Sequence, residues 1–289
     1  MGKLIRCITH DGAAIIIAVD STDIVSRAEQ IHKTSAVGTA ALGRLLTDSS
    51  IMGTMIKNAN GSQTLRINAD GPIKSLTAVT DSNGNVRGYP CNPVVEIPLK
   101  PNGKLDVGGA VGRGTLTVIR DDGDKEPYIG SIELVSGEIA EDITSYYAES
   151  EQIPTVCSLG VLVNPDLTVK KAGGFLLQLL PGADDEIISR VENSVKKLRS
   201  MTQMLDDGMS LLQICEAALD GFEIEVMNTS EVSYICPCNK KRVEKALISL
   251  GKSELDSIAD ENKDTEVCCQ FCDKKYTFTP NEIRRLAGN

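Results

Sequence analysis

Aromatic residues are scarce in this chain: they make up 3% of its 289 residues, and tryptophan is absent. Apolar residues reach 41% in total, so the hydrophobic core must be built mainly from aliphatic side chains. The chain has two histidines, His10 and His32. Neither lies beside a candidate nucleophile in sequence, which favours structural roles over catalysis.

Long apolar runs are also missing, since no segment offers the ~18 consecutive apolar residues of a membrane span. Residues 1–6 lack the apolar stretch and small-residue cleavage site of a signal peptide. Nine cysteines, an odd number, do not resemble a secreted disulfide framework. We therefore expect a cytoplasmic protein with no membrane partner.

The charge is acidic and uneven. The net charge is −10, and residues 1–233 carry −11 while the remaining tail carries +1. Phosphate binding needs clustered cations, so an acidic body argues against nucleic acid as the main partner. The nearly neutral tail leaves nucleic-acid binding open as an alternative.

The length exceeds one typical domain and predicts a large and a small domain. Alternating apolar residues between turn residues predict most strands, and apolar residues three and four apart predict helices. The expected strands are 3–9, 13–20, 64–68, 73–80, 86–89, 116–120, 128–134, 155–163 and 173–180. We expect an α+β fold in which residues 1–182 form a mainly antiparallel sheet with helices.

Three further segments of this core carry predictions. Residues 24–56 read as one or two helices, and residues 136–151 as a helix whose first turn is capped and acidic. Glycine-rich residues 103–114 lack the Gly-Lys-Ser/Thr of a phosphate-binding loop and predict a mobile loop. The polar turn at residues 121–124 predicts another hairpin.

Residues 183–233 predict a helical linker. One helix is expected to start at residues 184–186 and a second to span residues 209–219. Amphipathic helices usually cover a neighbouring core, but a methionine-rich stripe also suits reversible docking of a partner. The candidate client-binding side chains are Ile187, Val191, Leu198, Met201, Met204, Leu205, Leu211 and Leu212.

Two cysteine pairs dominate residues 234–289. Cys236 and Cys238 form Cys-x-Cys, and Cys269 and Cys272 follow some thirty residues later as Cys-x-x-Cys. Four thiolates delivered by two short loops satisfy tetrahedral zinc. The intervening segment is polar, so metal binding would supply much of its folding free energy. The spacing is equally compatible with a permanent structural zinc and with a redox switch.

The cysteine pattern, with residues 242–247 after it, resembles the heat-shock protein 33 family of redox-regulated chaperones. Residues 136–142, 146–147, 150–154 and 173–178 also look like stretches of that family, in its order. The resemblance therefore covers essentially the whole chain. Cys268, directly before the second pair, departs from the family motif, and we leave it out of the metal site.

The resemblance implies a holdase without ATP use or enzymatic turnover, and one zinc per reduced chain. In that family, hypochlorous acid, or peroxide with heat, forms disulfides that correspond here to Cys236–Cys238 and Cys269–Cys272. Zinc then leaves, and exposed apolar surface binds unfolding client proteins. The resemblance further implies a homodimer when oxidised and ATP-dependent refolding chaperones downstream.

Two other classes of function compete with this interpretation. A zinc-ribbon adaptor would bind nucleic acid through the tail cations Lys240, Lys241, Arg242, Lys274, Lys275, Arg284 and Arg285. A thiol oxidoreductase would use one cysteine pair with turnover and would lack tight zinc. Cys7, Cys91, Cys157 and Cys215 are expected to be buried and inert thiols.

Overall fold

The computed structural model describes residues 1–123 and 126–288 of the chain. Its contacts divide the chain into two compact units, Met1–Ile235 and Cys236–Asn289. The first unit therefore includes the segment predicted as a linker, residues 183–233. That residues 183–233 form a separate domain stays a prediction. Within the described residues, no helix is both long and apolar enough to cross a membrane.

Among the described residues, ten strands form two antiparallel sheets in the first unit. They are β1 (Gly2–Thr9), β2 (Ala14–Asp20), β3 (Ser62–Ala69), β4 (Ser75–Asp81), β5 (Val86–Pro90), β6 (Gly114–Asp121), β7 (Tyr128–Glu133), β8 (Thr155–Val163), β9 (Val169–Leu179) and β10 (Ile224–Val232). One sheet has the order β10-β1-β2-β9-β8 and the other β5-β4-β3-β6-β7. The predicted α+β class with mainly antiparallel sheets is confirmed.

In the part of the first unit that the structure describes, seven helices accompany these sheets. They are α1 (Thr22–His32), α2 (Ala36–Gly53), α3 (Val107–Val111), α4 (Ala140–Tyr146), α5 (Asp185–Lys197), α6 (Met201–Asp206) and α7 (Leu211–Ala218). A π-helical turn, Tyr147–Glu151, directly follows α4. Helix α2 is almost wholly buried and contacts both sheets. Aliphatic side chains make up most of the core around it, as the scarcity of aromatic residues requires.

Eight of the nine predicted strands are present within two residues of their expected ends, and the strand predicted from residue 173 begins four residues earlier, at Val169 of β9. Strands β6 and β7 pair antiparallel, and the turn predicted at residues 121–124 lies partly outside the described residues. Strand β10 was not predicted. It pairs with β1 from Gly2↔Val232 to Thr9↔Ile224, so the predicted helical linker ends in a strand of the first sheet.

Three helix predictions need correction. The glycine-rich segment holds α3 and not only a loop: the Asp106 carboxylate caps it, and Val107, Ala110 and Val111 are buried. The helix expected from residue 136 begins at Ala140, after a loop held by the side chain of Asp142. The first linker helix is two helices, because Ser200 starts α6 with its own capping box.

The second unit holds α8 (Lys240–Ile248), α9 (Lys252–Asp260), β11 (Thr265–Cys268), β12 (Lys275–Phe278) and α10 (Pro280–Ala287). Strands β11 and β12 form an antiparallel hairpin, of which β11 was not predicted. Gly251, with a φ of 89°, occupies the N-cap of α9. A small core buries Leu247, Leu255, Ala259, Tyr276, Phe278, Ile283 and Ala287.

Candidate metal centre

Two loops of the second unit deliver the four paired cysteines. Cys236 and Cys238 lie directly before α8, whose first turn is capped by the side chain of Asn239. Cys269 and Cys272 lie in the turn that joins β11 to β12. That turn is closed by backbone hydrogen bonds from Cys272 and Asp273 to the carbonyl oxygen of Cys269. Short local structure on both sides therefore fixes where the sulfurs point.

The four sulfur atoms all lie within 4.8 Å of one another. The Sγ–Sγ distance is 3.7 Å for Cys236 and Cys269, and 3.3 Å for Cys238 and Cys272. Four sulfurs placed tetrahedrally at about 2.3 Å from zinc would lie about 3.8 Å apart. The sulfur set therefore fits a tetrahedral thiolate site and is too widely spaced for disulfides, at about 2.05 Å. All four thiols are free.

The protonation of these thiols is tuned by burial and by one hydroxyl. Burial raises the pKa of the Cys236 thiol and of the Cys272 thiol. At Cys238 burial acts in the same direction, but the hydrogen bond from the Tyr276 hydroxyl and the neighbouring thiols outweigh it and lower the pKa to about 7. A bound divalent cation favours the thiolate form of every cysteine ligand. It would therefore add to the effect of the Tyr276 hydroxyl and the neighbouring thiols, which already favour the thiolate at Cys238.

Cys268 lies outside the cluster although it neighbours Cys269. It is exposed on β11, and its thiol donates a hydrogen bond to the Asp273 carboxylate at 2.9 Å. That carboxylate raises the pKa of Cys268 to about 11, which disfavours the thiolate. Cys268 is the last residue of β11, whereas Cys269 lies in the turn that follows.

The remaining cysteines lie in the first unit and only partly match expectation. Cys7 and Cys215 are fully buried, and Cys157 is half-buried. Cys91 is exposed, so the prediction of a buried thiol was wrong there. It directly follows β5, where the chain leaves the sheet, and this position gives it no cover.

The candidate client-binding residues lie on α5, α6 and α7 and the turns between them. Val191, Met201, Met204 and Leu205 are buried, while Leu198, Leu211 and Leu212 pack partly buried around them. They share a hydrophobic cluster with strand residues such as Ile16 and Phe175. We call this set of contacts the linker–sheet cluster. Ile187 is half-buried and does not belong to it.

Sequence patterns did not identify the whole linker–sheet cluster. Ile214, Cys215, Ala218 and Leu219 on α7 and its C-terminal end are also buried in it. Their spacing of three and four residues was available as a signal. The strand residues of the cluster could not be predicted from the sequence, because their burial depends on which sheet face the helices cover.

Several tail cations proposed for nucleic-acid binding are paired with acidic side chains. Lys240 lies 2.6 Å from Glu282, Lys275 lies 2.9 Å from Glu266, and Arg284 lies 3.5 Å from Asp260. Lys274 lies over the ring of Tyr276. Paired cations offer little net charge to phosphates, which weakens the adaptor interpretation.

An α+β first unit with two antiparallel sheets, followed by a unit whose four clustered thiols could hold a metal ion, defines the class of protein. Residues 2–279 match the family model described as Hsp33 protein. The chain belongs to the Hsp33 family.

Named relatives agree with this assignment. The 33 kDa chaperonin of Agathobacter rectalis is 47% identical over 98% of both chains. That of Clostridioides difficile is 46% identical over 98% of this chain and 97% of its own. The crystal structure of the 33 kDa chaperonin from Thermotoga maritima superposes with a TM-score of 0.90, at 36% identity, covering 99% of this chain and 97% of that one. These relatives support a chaperone function for the chain.

Proposed function

We propose that the protein is a redox-regulated, ATP-independent holdase of the cytoplasm, without enzymatic turnover, that binds unfolding proteins under oxidative stress. The observation that carries the proposal is the convergence of four free thiols within 4.8 Å of one another, in a chain whose family is Hsp33. In the reduced state Cys236, Cys238, Cys269 and Cys272 hold one zinc ion. Bound zinc supplies a fixed positive charge that keeps the four sulfurs as thiolates and joins the two loops.

Oxidation removes the ligand set. Cys236 joins Cys238 and Cys269 joins Cys272. Each pair of thiolates gives up two electrons to one peroxide, which takes up two protons from solvent and becomes two waters. A disulfide sulfur is no longer a thiolate ligand, so the metal is no longer held. Close Sγ–Sγ contacts also run between the pairs, from Cys236 to Cys269 and from Cys238 to Cys272, so the disulfide pairing is to be mapped directly.

The second unit depends on the metal because its own core is small. Seven side chains are buried in it, and a unit this short buries too little apolar area to be strongly stable alone. Loss of the metal therefore loosens the unit. The sequence analysis likewise expects metal binding to supply much of the folding free energy of this unit. The buried side chains of Phe278 and Ile283 would keep some residual structure after the metal is lost.

The client-binding surface is the linker–sheet cluster. Helices α6 and α7 are short, with 6 and 8 residues, and both begin with capping boxes that define them as separate helices. Once the second unit loosens, these helices leave the sheet and expose Val191, Met201, Met204 and Leu205. Flexible methionine side chains suit varied apolar partners. The oxidised chain forms a homodimer and passes its clients to ATP-dependent refolding chaperones.

The proposal is tested by light scattering of an unfolding test protein. Reduced, zinc-loaded chain should leave aggregation unchanged, and chain treated with peroxide at elevated temperature should suppress it without ATP. A variant with Cys236→Ser and Cys269→Ser supplies the matched comparison, with Cys268→Ser as control. If oxidation never produces suppression, and the reduced chain instead binds nucleic acid in a salt-dependent manner, the adaptor interpretation replaces this one.

A further inference from the structure

A cavity opens in the first unit where the C-terminal end of α2 meets β3, β6 and the π-helical turn. It encloses about 490 Å³ up to its open mouth, and its wall includes Met52, Gln63, Arg120 and Glu151. Cavities that bind small molecules commonly have this size, with apolar walls and a few polar groups. None of the lining residues belongs to the four-thiol cluster or the linker–sheet cluster, so the chaperone function as proposed leaves the cavity without a role.

Arg120 occupies a position where the second sheet otherwise buries apolar side chains. It is the direct cross-strand partner of Gln63, so both side chains lie on one face of the sheet. Two positions along the strands, the same face carries the buried pair Leu65 and Val118. A half-buried cation at the end of such an apolar row carries a desolvation cost unless an opposite charge offsets it.

Glu151 reaches the cavity wall through the π-helical turn. The turn is closed by the backbone N–H groups of Gln152 and Ile153, which both donate to the carbonyl oxygen of Tyr147. Gln152 has a φ of 56°, in the left-handed region that favours glycine. π-Helical turns and left-handed non-glycine residues recur at functional sites. Here the turn places both Tyr147 and Glu151 against the cavity.

Neighbouring aromatic residues hold the two charges in place. The Arg120 guanidinium lies 5.0 Å from the centroid of the Tyr128 ring, and the Tyr146 hydroxyl donates a hydrogen bond to Glu151 Oε1 at 2.6 Å. Burial raises the pKa of Tyr146, so its hydroxyl stays protonated and remains a donor. Among the described residues, neither Arg120 nor Glu151 has an ion-pair partner within 4.0 Å. The cavity wall therefore holds a cation and an anion that do not pair with each other.

The rest of the wall is mostly apolar. The Gln63 amide donates to the sulfur of Met52 at 3.8 Å, and the Tyr147 hydroxyl donates to the sulfur of Met55 at 3.7 Å. These contacts orient both thioethers, and two isoleucines complete the wall. Methionine side chains adapt to apolar groups of varied shape. The cavity therefore combines one cation, one anion and an adaptable apolar surface.

We propose that this cavity binds a small zwitterion of the α-amino acid class with an apolar side chain. Arg120 binds the carboxylate, Glu151 binds the ammonium group, and the methionines contact the apolar side chain. Such a ligand offsets both half-buried charges at once, whereas a simple acid or a simple amine leaves one of them without a partner. The inference goes beyond the proposed function, and its test does not depend on chaperone activity.

The first experiment observes the cavity wall directly by NMR. The chain has seven methionines, whose methyl groups are isotope-labelled in the full-length reduced protein and titrated with L-leucine. The signals of Met52 and Met55, assigned with Met52→Leu and Met55→Leu, should shift saturably with a Kd of about 1 mM or below. The signals of Met204 and Met227, which do not line the cavity, should stay in place. No shift at about ten times that concentration would overturn the proposal.

The second experiment asks whether both charges are recognised. Arg120→Gln and Glu151→Gln should each weaken L-leucine binding at least about tenfold, and Arg113→Gln, at an exposed position, should bind as wild type. Isocaproate, which lacks the ammonium group, and isoamylamine, which lacks the carboxylate, should each bind wild-type protein at least about tenfold more weakly than L-leucine. Unchanged affinity in either cavity variant, or equal binding of either analogue, contradicts the proposal. If a variant does not fold, the two analogues decide the question with wild-type protein.

Discussion

The hydroxyl of Tyr276 donates a hydrogen bond to the sulfur of Cys238 at 3.0 Å. The phenol ring is buried in the core of the second unit, so its packing holds the hydroxyl in place. Donors of this kind orient metal-binding side chains and reduce the charge that a thiolate must carry. The relationship joins the small core to the four-thiol cluster through one side chain.

Removing that hydroxyl should weaken metal binding without emptying the core. Tyr276→Phe keeps the ring, so we expect zinc affinity to fall about tenfold or more, as measured by competition with a chromogenic chelator. Tyr128→Phe is the matched control, since it removes a hydroxyl that bonds Ser150 in the first unit. Unchanged affinity in Tyr276→Phe would show that the hydrogen bond does not support the site.

The loop before α4 depends on one buried carboxylate. Asp142 accepts backbone N–H groups from Val135, Ser136 and Gly137 on Oδ1 and from Ile139 on Oδ2. Ile139 has a φ of 69°, a conformation that a β-branched residue rarely adopts and that these bonds stabilise.

Asp142→Asn places an amide donor against one of these N–H groups. We expect the free energy of unfolding to fall by about 3 kcal/mol, measured by urea denaturation. The neighbouring exposed Glu141 provides the control, and Glu141→Gln should change it by less than about 0.5 kcal/mol. A loss no larger than that of the control would contradict the role assigned to Asp142.

Asp48 should make the stability of the first unit depend on pH. Burial raises its pKa to about 7, against the opposing hydrogen bond from the Cys157 thiol. Its Oδ2 has no hydrogen-bond partner among the described residues. Because the folded-state pKa exceeds the unfolded value, this stabilising contribution is full below pH 4 and is lost as pH rises to 7.

Asp48→Asn removes that titration. Relative to wild type, the variant should gain stability steadily between pH 4 and 7 and no further above it, by up to about 4 kcal/mol. Urea unfolding at a series of pH values measures this, with Glu133→Gln at an exposed position as control. A wild-type-to-variant difference that stays constant with pH would show that Asp48 does not titrate as described.

Loosening the linker helices should activate the reduced protein. Met204 has a relative exposure of 1% within the linker–sheet cluster, and Met→Ala at such a site costs about 3 kcal/mol. Met204→Ala should therefore suppress aggregation of a test protein without oxidant. Met209→Ala, at a partly buried position in the following turn, should do so less. Circular dichroism must show that the variant remains folded. A gain in aggregation suppression by a globally unfolded variant would not support the prediction.

Local sequence patterns predicted much of the fold because its hairpins are local. Strands β8 and β9 follow each other across an Asn-Pro-Asp turn, and each has a recognisable apolar pattern. Strand β10 was not predicted because residues 228–231 are polar and most of its side chains are exposed. It is stabilised by pairing with β1, which lies over two hundred residues away in sequence. Helix α3 was missed because burial of its apolar residues, not helix propensity, keeps five residues helical.

The candidate site, like the fold, could be predicted from the sequence only in part. The spacing of Cys236, Cys238, Cys269 and Cys272 was enough to predict that four sulfurs would meet, since metal geometry limits what such spacing can mean. The Tyr276 contact could not be predicted, because it depends on how the hairpin packs against the loop before α8.

The most direct test of the account follows zinc, disulfides and chaperone activity in one sample. Reduced, zinc-loaded protein is heated with peroxide in the presence of a chromogenic chelator, and aliquots are taken for disulfide mapping and for suppression of aggregation. We expect one zinc per chain to be released to the chelator as the disulfides Cys236–Cys238 and Cys269–Cys272 form. Suppression of aggregation should rise with the same time course. Zinc that stays bound, or that leaves without any gain in suppression, would contradict it.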